Sequence, residues 1–390
     1  MIPNGYKQSE IGIIPKSWDC IAAKHLMKIE TGSRNTEHKT DAGKYPFFVR
    51  SQKVERIDTY HYDCEAVLTA GDGVGTGKVF HHYIGKFDAH QRVYVMSNFN
   101  GITGRYFYNY FSENFGNEVS KYTAKSSVDS VRRDMIAEML IPLPSLPEQE
   151  SIAEALLDVD SMISSLEKLI VKKKAVKQGA MQELLTGKKR LLGFTGEWYD
   201  TTIGEHCYVF DGTHQTPKYT ASGIPFYSVE NVTSNDFSNT KFISEEEHEL
   251  LTTKHRIEKG DILMTRIGSI GDCKYVDWDV NASFYVSLAL IKCKDTINSQ
   301  FLSYYSNSTY FKKEIEIRSL LTAIPQKINL GPISEIRLNI PSDIKEQQAI
   351  ASILSDMDYE IEALEQKLDK TRQIKQGMMQ QLLTGKIRLV

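Results

Sequence analysis

The chain has no run of about 18 apolar residues, so no stretch of it reads as a membrane-spanning helix. Its first residues, Met-Ile-Pro-Asn-Gly-Tyr-Lys, lack the charged and apolar regions of a signal peptide, and a cytoplasmic location is expected. The five cysteines (Cys20, Cys64, Cys207, Cys273 and Cys293) are scattered and form no Cys-x-x-Cys pair. This argues against a disulfide framework and a zinc site, and leaves small core residues as the simplest role. Basic residues are not in excess either. With 47 Lys and Arg against 50 Asp and Glu the net charge is −3, which does not advertise nucleic-acid binding unless basic charge is local or a partner supplies it.

Catalytic signatures are missing as well. There is no Asn-Pro-Pro-aromatic or Asp-Pro-Pro-aromatic tetrad for amino methylation, no Walker lysine and no acidic cluster suited to a nuclease. The run Gly71-Asp-Gly-Val-Gly-Thr-Gly-Lys78 resembles a phosphate loop but fails it. Asp72 stands where the first glycine belongs, Val79 where Ser or Thr belongs, and Thr76 where the dinucleotide motif needs its third glycine. A tight turn, touching at most a DNA backbone, is the better reading. His81, His82 and His90 lie near Asp88 without metal-ligand spacing and without a counterpart further on. No metal, no cofactor and no catalytic residue is therefore assigned to this chain.

What the chain does have is a repeat. Glu148-Gln149 returns as Glu346-Gln347, Ile152-Ala153 as Ile350-Ala351, Gln178-Gly179 as Gln376-Gly377, and Leu184-Leu-Thr-Gly-Lys188 as Leu382-Leu-Thr-Gly-Lys386, always 198 residues later. Within each copy apolar residues step by four and three: Ile152, Leu156, Val159, Ile163, Leu166, Ile170, and Ile350, Leu354, Met357, Ile361, Leu364, Leu368. That is a heptad seam. Acidic residues load the first turn, lysines the last turns, and Gly187 follows, as a long helix with a glycine stop requires.

The segment between the copies sits at the end of one helix and the start of the other, so the helices are expected to run antiparallel. About 38 residues at about 1.5 Å each give a spacer of roughly 57 Å. The expected fold is α+β: two β-rich domains separated by two long helices in an antiparallel coiled coil, with an internal pseudo-two-fold repeat.

The expected organisation is a lead-in at 1–17 packing near the end of helix two, a first domain at 18–146, a helical region at 147–188 and a linker at 189–197. A second domain at 198–341 and a second helical region at 342–390 follow. The two domains match loosely: Trp18 with Trp198, Thr31-Gly-Ser33 with Asp211-Gly-Thr213, Pro46-Phe47 with Pro225-Phe226, and Val67-Leu68 with Ile262-Leu263. The change of offset from 179 to 195 places about sixteen extra residues between the last two matches, expected in Ser234 to Leu251. A predicted helix from Gly104 to Val119 carries Phe107, Phe111 and Phe115 on one face, a core stripe rather than a base-stacking one.

The scaffold repeats while the loops diverge, which suits two recognition surfaces built on one frame. Arg suits guanine in the major groove, and Asn or Gln suits adenine, because their forked groups match two base-edge atoms. By loop position and side-chain chemistry the DNA-binding candidates in the first domain are Ser33, Arg34, Asn35, Arg50, Gln52, Lys53, Lys78, Gln91 and Arg92. In the second they are Thr213, His214, Gln215, Lys218, Asn231, Arg266, Ser269, Gln326 and Lys327. Arg34-Asn35 and His214-Gln215 are expected to be equivalent, each following its glycine.

The Gly5-Tyr-Lys lead with Ile14-Pro15 and Trp18, the paired Glu-Gln-x-x-Ile-Ala helices and the twice-used Gln-Gly…Leu-Leu-Thr-Gly-Lys closely resemble the specificity subunit of type I restriction-modification systems. The resemblance covers the whole chain, and the helices look like that family's conserved regions. It implies a non-catalytic subunit that reads double-stranded DNA with a bipartite, asymmetric target, one domain per half-site. It also implies two modification subunits docked on the helices, bringing S-adenosylmethionine for adenine methylation, and restriction subunits bringing ATP and Mg for translocation and cleavage. A specificity subunit of a type II companion-methyltransferase system shares these features, and a coiled-coil scaffold with two binding modules for protein or sugar suits the low charge.

If helix length sets the spacer, one inserted heptad between Leu166 and Gln182 adds roughly 10 Å, about three base pairs. The mapped target should then lengthen its spacer and keep both half-sites; an unchanged spacer would count against the helices as its ruler.

Overall fold

The computed structural model describes residues 2–123 and 130–389. Met1, Val390 and residues 124–129 of the expected first domain lie outside the described residues. The chain divides into two compact units, one made of Met1–Glu167 with Gln366–Val390 and one of Lys168–Glu365.

In the first unit the lead-in is a hairpin, β1 (Tyr6–Ser9) against β2 (Gly12–Pro15), followed by β3 (Asp19–Ala22), β4 (Lys28–Thr31), β5 (Tyr45–Phe48), β6 (Glu55–Ile57), β7 (Tyr62–Ala70), β8 (Phe80–Ala89) and β9 (Val93–Ser97). After α1 (Gly104–Thr123) and α2 (Arg133–Ala137), β10 (Leu140–Leu143) pairs antiparallel with β3 and leads into the long α3 (Leu146–Leu184). One six-stranded sheet, β4-β9-β7-β8-β5-β6, carries the unit. Alternation decides its faces. Val67 and Met96 face the core that holds α1, while Leu68 and Val95 face a smaller cluster with Phe48 and Phe87 on the other side. Phe107, Phe111 and Phe115 are fully buried, and Phe80 meets Phe111 edge-on at 5.4 Å, so the aromatic stripe is core.

The second unit repeats this order with β11 (Trp198–Thr202), α4 (Ile203–His206), β12 (Cys207–Asp211), β13 (Tyr219–Thr220), β14 (Ile224–Tyr227), α5 (Val229–Ser234), β15 (Lys241–Ile243), α6 (Glu245–Leu251) and β16 (Ile262–Thr265). There follow β17 (Cys273–Tyr275), β18 (Ser283–Phe284), β19 (Leu288–Cys293), α7 (Ser299–Tyr305), α8 (Thr309–Arg318), α9 (Leu330–Ser334), β20 (Arg337–Pro341) and α10 (Ile344–Leu382). Where the first unit has the unbroken β8, the second has β17 and β18 separated by seven residues. The one sheet therefore becomes two: β12-β19-β16-β17 and β13-β15-β14-β18. The extra residues fall in two places rather than one. Seven lie between β14 and β15, where α5 forms, and nine between β15 and β16, where α6 forms.

Both long helices have 39 residues. Within the first unit Ile152 and Leu156, at the start of α3, share a core with Met379, Leu382 and Leu383 at the end of α10. Within the second unit Ile350 and Leu354 share one with Met181, Leu184 and Leu185. The opening seam residues of each helix thus serve a domain core as well as the helix pair. Leu166, Ile170, Ile361 and Leu368 are buried further along, and Val159, Ile163, Met357 and Leu364 are half-buried.

Ion pairs fix the antiparallel register inside each unit. In the first, Asp160 pairs with Lys375 at 2.6 Å and Glu167 with Arg372 at 2.7 Å. In the second, Asp358 pairs with Lys177, and Glu365 with Lys174 at 2.7 Å. Every position of the second set is a position of the first moved by 198, with the helices exchanging roles and Lys174 standing for Arg372. Glu167, Lys173 and Lys174 are therefore engaged across the helix pair rather than lying free for a partner.

The helix ends are locked in the same way. Glu148, wholly buried, accepts the Arg388 guanidinium on both oxygens and the Trp18 indole N–H at 3.0 Å. Glu346 accepts Arg190 at 2.6 and 2.7 Å. Gly385 (φ +69°) lies against Pro15 and Trp18, where a side chain would have neither the backbone conformation nor the space, and Gly187 (φ +66°) takes the same left-handed conformation against Trp198. Tyr6 donates its hydroxyl to the Gly385 carbonyl at 3.0 Å, seating the hairpin there.

Arg388→Ala would leave a buried carboxylate without its cation, and Arg190→Ala does the same in the other unit. Each is expected to destabilise by about 3 kcal/mol. Thermal unfolding that does not move for either variant would show that these pairs do not hold the helix ends.

Candidate nucleic-acid interface

The strand pairings carry the candidate loops to one place in each unit. In the first, the Arg34 N–H donates to Ala89 O at 3.2 Å, the Gln91 N–H to Arg34 O at 2.8 Å, the Gly71 N–H to Arg92 O at 2.8 Å and the Val131 N–H to Gly71 O at 2.7 Å. In the second, the Thr213 N–H donates to Phe284 O at 3.2 Å, the Val286 N–H to Thr213 O at 3.0 Å, the Arg266 N–H to Ser287 O at 2.9 Å and the Ile328 N–H to Arg266 O at 2.9 Å. The same four bonds build both clusters. A Cβ on Gly32 would stand 2.1 Å from Ala89 O, and one on Gly212 2.1 Å from Phe284 O, so glycine alone permits the loop to leave its strand this close to the next.

This frame corrects one equivalence. Arg34 bridges His90 as Thr213 bridges Tyr285, so Arg34 corresponds to Thr213 and not to His214. The second loop is one residue shorter between its glycine and the bridge.

The first cluster gathers Arg34, Arg50, Gln91 and Arg92 around two acids. Arg34 Nε donates to Asp88, whose side chain is fully buried, at 3.1 Å. Asp72 accepts Arg50 Nη1 at 2.9 Å on one oxygen and Arg92 Nη1 on the other. Burial alone would raise the Asp72 pKa, but the hydrogen bonds from Arg92 and Arg50 outweigh it and hold the carboxyl below its ordinary value. His90 is shifted down by burial and then by Arg50, and its Nδ1 accepts the Arg92 N–H at 3.0 Å, as a neutral imidazole does. Ser33, Asn35, Gln52, Lys53 and Lys78 are exposed on the surrounding loops; Asn35 also closes a capping box with His38, and Lys53 lies 3.4 Å from Glu55.

In the second cluster, the loop that starts at Arg266 pairs with 326–328: Ile267 bridges Lys327, and the Gly268 N–H donates to Gln326 O at 2.9 Å. His214 pairs with Asp211 at 2.7 Å and Ser269 with Asp272 at 2.5 Å. Lys218 is exposed, just before β13. Two candidates are corrected. Asn231 is buried, its amide donating to Asp236 O and Asn239 O and its carbonyl closing the capping box of α5. Arg266 is buried too, with Nε on Ile328 O and Nη1 on Val286 O. Both side chains serve the fold and present nothing outward.

A family model described as the type I restriction modification DNA specificity domain matches residues 15–176 and again residues 196–373. The chain belongs to that family. The specificity subunit is 25% identical to the MjaX specificity subunit of Methanocaldococcus jannaschii, over 98% of this chain and 97% of that one. It is 29% identical to the EcoDI specificity subunit of Escherichia coli over 48% of this chain and 41% of the relative. Its fold is similar to the type I S subunit from M. genitalium, with a TM-score of 0.67, 18% identity and coverage of 98% and 97%. A structure concerned with complex assembly of the type I R-M system gives 0.53 at 14% identity, covering 96% and 99%.

Family membership removes the reading of a scaffold for protein or sugar ligands. The specificity subunit supplies recognition, and its enzymatic partners supply chemistry. Among the described residues there is no group of three or more His, Cys, Asp or Glu placed to hold a metal, and no helix is long and apolar enough to cross a membrane.

Sequence reasoning missed Asp72 and Asp88, which hold the arginines. Asp72 lay in the glycine run set aside as a failed phosphate loop. Its signal was the run itself, a turn that ends a strand and aims one carboxylate along it.

Arg34→Ala strands the buried Asp88 and is expected to lower stability by on the order of 2–3 kcal/mol. Arg50→Ala, which leaves Asp72 its second arginine, should stay within about 0.5 kcal/mol of the parent. Chemical denaturation of both variants checks the contrast; equal losses would mean that Asp88 does not depend on Arg34.

Proposed function

We propose that this specificity subunit reads a bipartite, asymmetric sequence in double-stranded DNA, one half-site per recognition domain. The observation that carries the proposal is the duplicated loop frame: the same four backbone bonds in both units, clothed with different side chains. A frame of that kind holds two loops in one geometry while their base-facing groups differ, which is what reading two unlike half-sites requires. The long helices set the unspecified spacer and provide the platform for two modification subunits, with restriction subunits joining them in the cytoplasm. S-adenosylmethionine belongs to the modification subunits, which methylate adenine, and ATP with Mg to the restriction subunits. The relatives described above are named for type I enzymes, which favours this assembly over a type II companion system.

Modest net charge supports dependence on partners for affinity, because phosphate neutralisation supplies most of the sequence-independent binding energy. Co-expression with the modification subunit of the same operon, followed by genome-wide mapping of methylated adenines, should give a split asymmetric motif that disappears when this chain is deleted. Methylation that persists without it would exclude it as the determinant of specificity.

A further inference from the structure

We infer that the first recognition domain reads guanine through Arg50 and Arg92, with Asp72 as their positioning residue, and that the second domain has no such reader on its equivalent frame. The inference rests on the two-half-site reading above and adds the identity of a base.

Asp72 is largely covered, with its side chain 16% exposed, whereas the two arginines it holds stand out at 45% for Arg50 and 60% for Arg92. Each guanidinium gives its Nη1 to the carboxylate. Among the described residues the Nε and Nη2 donors of both make no hydrogen bond. A guanidinium held by Nη1 keeps Nε–H and Nη2–H as a parallel pair on its far edge, and that fork matches two adjacent acceptors. Guanine offers such acceptors, O6 and N7, in the major groove. Adenine sets an amino donor beside N7 and opposes a donor-only fork.

Phosphate would also accept such a fork. The ionised carboxylate between the arginines weighs against it, because a phosphate drawn to them meets that anion, while a base edge is uncharged. Asp72 also fixes both side chains before DNA arrives, so less rotamer freedom is lost on contact.

The second unit offers a comparison inside the same chain. On the shared frame Ser287 stands where Arg92 does, and Ile267 where Asp72 does. Counting two residues past the paired strand β14, Val229 takes the place of Arg50. Its nearest arginine, Arg266, replaces Gly71 and is turned inward onto carbonyls.

The test uses the full chain co-expressed with its modification partner in a host without adenine methylation of its own. Methylated motifs are mapped for the parent and for Arg50→Gln, Arg92→Gln, Asp72→Asn and Asp72→Glu. The parent motif should hold guanine, on either strand, in one half-site. Each arginine variant should lower the preference for one guanine by roughly 5- to 150-fold. The other half-site and the spacer should be unchanged, and their retention reports a folded subunit. Asp72→Asn should relax both positions together, and Asp72→Glu should recover part of the preference. A uniform fall in methylation with the motif intact would make the arginines phosphate contacts and Asp72 a loop staple, overturning the inference. So would a responding half-site without guanine. A parent chain that directs no split motif would sink the two-half-site reading itself, and this inference with it.

Discussion

In each unit a carboxylate with no access to water ties one long helix to the end of the other. Glu148 and Glu346 are at most 1% exposed in their side chains, and each is matched by a guanidinium fork from the segment that follows the other helix. A buried acid is costly unless paired, so the arginine, the helix that carries the acid and the chain leading to both must arrive together. In the first unit the same carboxylate also receives Trp18, which lies on the way into the recognition domain. The neighbouring glutamines complete the joint. Gln149 accepts the Thr103 N–H at the start of α1 and donates to Gly101 O and Pro144 O; Gln347 accepts the Asn298 N–H at the start of α7 and donates to Pro341 O. The Glu-Gln pair of the repeat is thus a clasp joining a long helix to its domain.

Beyond that clasp the copies differ where difference is tolerated. The unbroken β8 of the first unit is interrupted in the second, and α5 and α6 occupy spans that the first crosses without an α-helix. The strands beside the candidate loops keep their partners: β4 lies on β9 as β12 lies on β19, and β5 runs parallel to β8 as β14 does to β18. The loops leave the sheet from the same points, and the first insertion, with α5, enlarges the one that follows β14, the counterpart of the loop that carries Arg50.

Much of this was legible in the sequence because it rests on local periodicity and on direct repetition. The helices announce themselves by heptads, their antiparallel course follows from connectivity, and the aromatic stripe of α1 packs inward as its spacing predicts. The interface was read less well, for a physical reason. Side-chain chemistry marks Arg34, Arg50 and Arg92 as candidates, but it marks Asn231 and Arg266 equally, and only burial separates them. Asn231 closes a helix cap and Arg266 donates inward to the Ile328 and Val286 carbonyls; neither role has a signature in spacing. The equivalence of Arg34 with Thr213 was hidden likewise, since one residue deleted after a glycine leaves the aligned letters plausible while the strand bridge shifts.

The pinch at Gly32 and Gly212 has a consequence for how such a molecule can change. Any side chain at either glycine collides with a carbonyl, so inheritance of a new DNA preference cannot pass through that point. Substitution is channelled into the residues just beyond it, where Arg34 and Thr213 already differ while their backbone bonds agree to within 0.2 Å. Target sequence can therefore drift quickly on a frame that drifts hardly at all, and the two halves of one chain can acquire their preferences independently.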